Sequence, residues 1–231
     1  MDPEIKVVAF DVDGTLYGKW SYLWRMTLSG FPDPLLAWAY NRARIRYREV
    51  QGTDPVLPET REGYLRRLSL LMLNALGRKP SEKAIARITR RVERQMYHRW
   101  AVLYRSVHGR KGMRSAVEEL HRMGYRIAIL SDFPLVEKLK ALGIAPWVDV
   151  ALSSEDIGYL KPDGRVFSRL LDAIGVPAGQ VLYVGDSYHK DVLGAKGAGM
   201  HTVLLSRGRR SVYPEAEYVV HSFQRLISLF R

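Results

Sequence analysis

Two hydrophobic patterns follow one another along this chain. The first is a short apolar run, Val7 to Phe10, with β-branched and aromatic members, which is typical of a strand buried on both faces. From about residue 20 to residue 105, apolar positions instead recur every three or four residues, and no strand alternation is present. The pattern therefore predicts one buried strand followed by a series of helices.

Breaks rich in Pro and Gly divide the helical stretch into separate helices. Ser81 stands at the start of one of them, where a serine side chain can cap the first turn. The helical period is carried by three sets of positions: Leu35, Trp38, Arg42 and Ile45; Leu65, Leu68, Met72 and Ala75; Ile85, Ile88, Val92, Met96 and Trp100.

After residue 107, short apolar strands alternate with amphipathic helices. The predicted helices are Met113–Met123, Leu135–Leu142, Arg165–Ile174, Val192–Gly199 and Phe223–Phe230. The predicted strands are Arg126–Leu130, Val148–Leu152, Val181–Val184, His201–Leu205 and Tyr218–Val220. Such alternation indicates parallel βαβ units and hence an α/β protein with a doubly wound parallel sheet. We predict one domain from residues 1–17 and 107–231, and an inserted helical domain from residues 18–106.

Charge supports the same division. Residues 18–110 carry 19 Lys and Arg against 7 Asp and Glu, so this segment holds the whole formal net charge of +12, and the rest of the chain is balanced. Most such charge runs line solvated helix faces.

Composition excludes several classes of protein. The chain has no cysteine, so disulfides and thiolate metal sites are ruled out, and it has no apolar run of 18 residues. The N-terminus lacks the features of a secretory signal. We expect a soluble cytoplasmic protein, monomeric or homodimeric, with no membrane partner.

Two carboxylates, Asp11 and Asp13, directly follow the first strand and precede Gly14 and Thr15. Acids at the carboxyl end of a central strand lie where open α/β sheets bind ligands, and Gly14 lets the backbone approach one closely. The simpler alternative is an Asx-type turn.

Three later segments place polar residues at other strand ends or in nearby loops. Ser131 follows the strand Arg126–Leu130, Lys161 precedes Pro162, and Asp186 and Asp191 lie in and after a Gly-Asp-Ser segment. Taken singly, these residues fit a helix cap, a solvated loop and a helix start. Because parallel strands present their carboxyl ends on one side, Ser131 and Asp186 can converge with Asp11 and Asp13.

Together, the four segments resemble in order and character the motifs of the haloacid dehalogenase-like (HAD) hydrolase superfamily. The resemblance covers residues 5–17 and about 107–222, and the helical insertion resembles an all-helical cap. It implies a Rossmann-like core, Asp11 as nucleophile, and Asp13 as general acid and base. It also implies Mg²⁺ bound by Asp11, Asp13 through its carbonyl, Asp186 and Asp191. The residues it implies at the phosphoryl group or substrate are Gly14, Thr15, Ser131, Asp132 and Lys161.

The expected reaction is Mg²⁺-dependent hydrolysis of a small phosphorylated metabolite through an aspartyl-phosphate. The dehalogenases of the superfamily lack the acid at the position of Asp13, because a halide needs no proton. A sugar phosphomutase uses the same residues and stays an alternative. A nucleic-acid-binding role is suggested by the basic segment and its aromatics Trp20, Trp24, Trp38, Tyr40 and Tyr47. It is less favoured, because their helical period suits a core.

The basic segment also carries a sharper hypothesis. On a helix, Arg42 and Arg46 share one face and Arg44 and Arg48 share another. Trp38 and Ile45 lie nearer the first pair, so the sequence predicts that Arg42 and Arg46 border the substrate and read a second anionic group.

Overall fold

A six-stranded parallel sheet lies at the centre of the computed structural model, which describes residues 4–18, 33–52 and 59–231. The strands are β1 (Val7–Phe10), β2 (Arg126–Ser131), β3 (Val150–Ser153), β4 (Val181–Gly185), β5 (His201–Leu205) and β6 (Tyr218–Val220). Their order in the sheet is β3-β2-β1-β4-β5-β6. The predicted α/β fold with a doubly wound parallel sheet is confirmed.

The first strand occupies the point at which the order of the sheet reverses. β1 pairs in parallel with β2 on one side and with β4 on the other, so that Phe10 is level with Ile129 and Val184. All four residues of β1 are buried, as its apolar run predicts. In open α/β sheets this switch point is where the crevice for a ligand forms, and the acids that follow β1 lie there.

Four described helices form an insertion between β1 and β2, as predicted. They are α1 (Pro34–Val50), α2 (Arg61–Ala75), α3 (Glu82–Val92) and α4 (His98–Tyr104), with one π-helical turn (Glu93–Tyr97) joining α3 to α4. Ser81 caps α3 by accepting a hydrogen bond from the Ala84 amide. Among the described residues, no helix has the length and apolarity needed to cross a membrane.

Five further helices precede or connect the later strands of the sheet, and a sixth follows the last strand. They are α5 (Met113–Arg122), α6 (Val136–Leu142), α7 (Ser154–Ile157), α8 (Gly164–Ile174), α9 (Leu193–Gly197) and α10 (Phe223–Ile227). Helix α7 was not predicted, and before α9 a π-helical turn (Tyr188–Val192) begins four residues before the predicted helix. Ser187 caps this turn by accepting a hydrogen bond from the Lys190 amide. The turn places Asp191 inside a helical segment.

The apolar stripes of α2 and α3 are buried as predicted, whereas the stripe predicted for α1 is wrong. Trp38 and Ile45 are 50% and 57% exposed. The buried face of α1 instead consists of Leu36, Ala39, Tyr40, Ala43, Arg44 and Tyr47. The inward face of α1 is formed mainly by tyrosine and alanine side chains, and Trp38 and Ile45 point outward. Trp20 and Trp24 lie outside the described residues.

The two ends of the helical insertion meet beside the loop after β1. Tyr17 forms isolated bridges with Asp13 and with Gly109. The Arg110 amide donates to the Leu16 carbonyl at 2.8 Å, and the Arg110 side chain donates to the Gly14 carbonyl at 2.6 Å. The chain therefore leaves the sheet and returns to it at nearly the same point. The domain limits at 17/18 and 106/107 stay a prediction.

Candidate active site

The loop after β1 turns immediately beyond Phe10. Gly14 has φ 107°, a backbone conformation that glycine adopts without strain, and it allows the chain to fold back. The Leu16 amide then bonds the Val12 carbonyl at 3.0 Å. The turn brings Thr15 back to Asp11, where Thr15 Oγ1 donates to Asp11 Oδ2 at 2.7 Å. The predicted motif thus folds into a loop that orients its first carboxylate.

Asp11 is buried and contacts a buried lysine. Lys161 Nζ donates to Asp11 Oδ1 at 2.7 Å. Burial raises the pKa of Asp11 to about 6, because the contact with Lys161 opposes desolvation without overcoming it and the neighbouring Asp191 carboxylate acts in the same direction as burial. Additional positive charge near Asp11 would therefore stabilise its ionised form.

Lys161 is shared between two carboxylates. Besides Asp11, its ammonium group donates to Asp191 Oδ1 at 2.6 Å and to the Tyr183 hydroxyl at 3.2 Å. Although burial favours the neutral form, these carboxylates hold the pKa of Lys161 well above its ordinary value. Lys161 is therefore a buried cation at the carboxyl end of β1.

Three carboxylates converge at this end of the sheet. Oxygen atoms of Asp11, Asp186 and Asp191 lie within 4.8 Å of one another. A Cβ at Gly185 would stand 2.3 Å from Asp191 Cβ, so only glycine allows Asp191 to pack this close to β4. Three carboxylates form a hard oxygen donor set of the kind that suits Mg²⁺, and these residues fit that ion. The predicted carbonyl ligand at Asp13 stays a prediction.

Asp13 has different surroundings. Lys138 Nζ donates to both of its carboxylate oxygens at 2.7 Å, Ser131 Oγ donates to Oδ2 at 2.8 Å, and the Tyr17 hydroxyl donates to Oδ1. Burial would raise the pKa of Asp13, but the ammonium group of Lys138 and these donors hold it below its ordinary value. Asp13 is therefore an ionised acceptor of three side-chain donors.

Two of these donors, Lys138 and Tyr17, were not predicted as site residues. The sequence did carry a signal for Lys138: with Leu135, Leu139 and Leu142 it occupies the apolar stripe of the helix predicted there, a position where lysine is unexpected. Ser131, predicted as a phosphoryl ligand, is the last residue of β2, and its hydroxyl also accepts a hydrogen bond from the Phe133 amide at 3.1 Å.

Asp132, predicted to contact substrate, is buried and joins the sheet to the insertion. Its carboxylate accepts hydrogen bonds from Arg48 at 2.9 Å, from the Ser154 hydroxyl at 2.9 Å and from the Lys161 amide at 3.3 Å. Despite its burial, the nearby cations hold the pKa of Asp132 far below its ordinary value. Asp132 therefore helps to position the loop that carries Lys161.

The predicted positions of Arg42 and Arg46 are wrong. Both are exposed and, with Ile45, line an outward cavity of about 410 Å³ between α1 and α2. The other pair, Arg44 and Arg48, faces the sheet. The prediction failed because it took Trp38 and Ile45 as the buried face of α1.

Arg44 is the most enclosed of these arginines. Its guanidinium forms a buried ion pair with Glu155 and donates to the Tyr64 hydroxyl at 2.8 Å and to the Asp132 carbonyl at 3.1 Å. Arg48 also donates to the Lys161 carbonyl at 3.1 Å. Helix α1 is thus fastened to both loops that position the acidic site.

Comparison with known proteins agrees with this site. Residues 5–199 match the haloacid dehalogenase-like hydrolase family, so the chain belongs to that family and is an enzyme of the hydrolase class.

Two similar proteins are glyceraldehyde 3-phosphate phosphatases of archaea. The chain is 30% identical over 224 residues to that of Methanopyrus kandleri, covering 89% of this chain and 85% of the relative. It is 28% identical over 209 residues to that of Methanothermobacter thermautotrophicus, covering 87% and 86%. A crystal structure of a dehalogenase with an intermediate complex aligns with a TM-score of 0.66 and 21% identity over 99% of this chain and 98% of that one, which shows the shared fold.

Proposed function

We propose that this enzyme is a Mg²⁺-dependent phosphomonoesterase that acts on a small phosphorylated metabolite. The observation that carries the proposal is the pairing of two differently held carboxylates at the end of β1. Asp11 belongs to a set of three acids that could hold a metal ion, and Asp13 is held by separate donors. The archaeal relatives, matched over most of their length, support a phosphorylated sugar of about three carbons as the first substrate class to test.

In this proposal Asp11 is the nucleophile. Its carboxylate attacks phosphorus, the bond from phosphorus to the leaving oxygen breaks, and an aspartyl-phosphate forms. Lys161, and Ser131 as the sequence predicts, would contact the phosphoryl oxygens. Asp11, Asp186 and Asp191 would hold Mg²⁺, which when bound supplies positive charge that offsets the repulsion between a carboxylate and a phosphate.

Asp13 is the proposed proton carrier. Asp13 takes up a proton from solvent as the substrate binds and gives it to the leaving oxygen. It then takes a proton from the water that hydrolyses the aspartyl-phosphate and releases that proton with the product phosphate, so each cycle ends with the ionised carboxylate. Asp13 is ionised in the free enzyme because its pKa is lowered, so it takes up its proton only when the substrate binds. An arriving phosphate anion raises the proton affinity of a nearby carboxylate and so favours the first step.

The test is phosphate release from a panel of triose phosphates, hexose phosphates and nucleoside monophosphates, with and without a chelator. We expect release that requires Mg²⁺, and a phosphoryl group on Asp11 when the enzyme is quenched with substrate and examined by mass spectrometry. Full activity in chelator would contradict the metal assignment. Retention of the phosphoryl group in an isomerised product would identify a phosphomutase instead.

A further inference from the structure

Lys138 is a buried cation at a position where an apolar residue would be expected. It lies on α6 with no exposed surface, and its side chain occupies the inward stripe of that helix beside Leu139 and Leu142. Its ammonium group lies 4.4 Å from the ring centroid of Tyr104 and 5.2 Å from that of Phe133. Lysine is almost never fully buried unless it is paired.

The partner of Lys138 is Asp13. Nζ lies 2.7 Å from each Asp13 oxygen, and these are the two hydrogen bonds of that ammonium group within the described part of the chain. Replacement of a buried ion pair by apolar residues of similar volume is often neutral or stabilising, so stability alone is a weak reason to find a lysine here.

Asp13 is held from three directions. Tyr17 reaches it from the loop after β1, Ser131 from the end of β2 and Lys138 from α6. An aspartate side chain rotates about two bonds, and donors on both oxygens fix both rotations. The Asp13 side chain nevertheless keeps 21% of its surface exposed, so the carboxylate is fixed and still accessible.

We propose that Lys138 is a positioning residue that holds the Asp13 carboxylate in place for proton transfer. This inference rests on the proposed phosphomonoesterase function. In the first half-reaction, the bond from Asp11 oxygen to phosphorus forms, the bond from phosphorus to the leaving oxygen breaks, and a proton that Asp13 took up from solvent on substrate binding moves to that oxygen. Lys138 keeps its own proton throughout and acts through the position of Asp13.

A residue that acts through Asp13 matters only as far as the leaving group needs a proton. Glycerol 3-phosphate leaves as an alkoxide that must be protonated, whereas 2,4-dinitrophenyl phosphate releases a stable phenolate. The test is the rate of the first half-reaction, measured for both substrates by rapid quench with enzyme in excess over substrate. For each variant, the readout is the fold-loss of rate with glycerol 3-phosphate divided by the fold-loss with 2,4-dinitrophenyl phosphate.

For Lys138→Met we expect a loss of about 10–100-fold with glycerol 3-phosphate, because general acid catalysis contributes about 10²–10⁴-fold and a misplaced acid retains part of it. The loss with 2,4-dinitrophenyl phosphate should be at least about tenfold smaller. KM for glycerol 3-phosphate should stay within about twofold of the wild-type value, since uniform binding is not removed. Lys140→Met, an exposed lysine on the same helix, is the matched control.

A second variant guards against misfolding of Lys138→Met. Tyr17→Phe removes one donor to Asp13 and keeps the buried ring, so we expect the same dependence on leaving group with a loss of about 3–10-fold. Circular dichroism tests whether each variant is folded. If Lys138→Met is not folded, the result for Tyr17→Phe decides the test.

Equal losses with both substrates, no loss with either, or a rise in KM alone would overturn the inference while leaving the proposed function intact. Absence of turnover by the wild-type enzyme on both substrates and on the whole panel of phosphorylated metabolites would overturn the proposed function and the inference with it.

Discussion

Asp11 and Asp13 are the same residue type, stand two residues apart and follow the same strand, yet their surroundings displace their pKa values in opposite directions. The pKa of Asp11 rises to about 6, and that of Asp13 falls below its ordinary value. Each carboxylate accepts a hydrogen bond from a buried lysine and from a neighbouring hydroxyl. Burial acts on both, so burial alone does not explain the difference.

The difference lies in how each lysine is shared. Lys161 serves Asp11 and Asp191 together, and Asp186 lies close by, so negative charge exceeds positive charge on that side. Among the residues that the structure describes, Lys138 gives its two hydrogen bonds to Asp13. An excess of carboxylates suits a cation site and a nucleophile, whereas a single matched pair suits a carboxylate that must keep its position.

The largest expected effect is on turnover. Asp11→Asn should lower kcat by about 10⁴-fold or more, because a carboxamide cannot attack phosphorus. Asp13→Asn should lower it by about 10²–10⁴-fold, since it removes proton transfer and leaves the nucleophile in place. Phosphate release with the best substrate of the panel measures both. An Asp11→Asn enzyme that retains a tenth of the wild-type rate would contradict the assignment of Asp11 as the nucleophile.

The next effect is on stability. Asp13→Asn should destabilise the protein by about 3–5 kcal/mol at pH 7.5, because it leaves the Lys138 ammonium group buried without its counterion. Urea unfolding without added metal measures this difference. Glu118→Gln, which removes an exposed carboxylate on α5, is the control and should change little. A loss below about 1 kcal/mol would show that Asp13 and Lys138 do not form a tight pair in solution.

The smallest effect is the opposite response at Asp11. Because its folded pKa is raised above the unfolded value, the associated stability is present below about pH 4 and is lost as pH rises through about 6. Asp11→Asn removes this loss, so the metal-free variant should be more stable than wild type by about 2–3 kcal/mol at pH 7.5, converging with it near pH 4. Urea unfolding across this pH range tests the sign. A variant less stable than wild type at pH 7.5 would contradict the account of Asp11.

Much of the site could be predicted from the sequence, because its acids stand at the ends of apolar strands. Once β1 and β4 are recognised as buried parallel strands, Asp11 and Asp186 must approach the same edge of the sheet. Lys161 was predicted as a site residue from the resemblance of its segment to a family motif, and it lies at the same acids. Motifs tied to strand ends are local in sequence, which makes them readable before any tertiary contact is known.

The parts that could not be predicted depend on packing between distant segments. On α1, Trp38 and Ile45 are the most apolar residues of one face, yet the inward face uses Tyr40 and Tyr47. Their hydroxyls need partners when buried, and Tyr47 bonds the Gly158 carbonyl, more than a hundred residues away. Hydrophobic periodicity ranks tyrosine below tryptophan and isoleucine, so it predicted the wrong face and the wrong arginines.

The closed neck of the insertion, where Tyr17 bridges Asp13 and Gly109, has a mechanical consequence. The loop that carries Asp13 is also the base of the helical insertion. A displacement of this base would be transmitted to Asp13 through the Tyr17 hydroxyl, beside the separate contacts that α1 makes with the Asp132 and Lys161 loops. Because the two ends of the insertion lie side by side, the distance between β1 and β2 does not depend on the length of chain between them. An insertion of a different length could therefore join β1 and β2 at the same place, and the register of the sheet would not change.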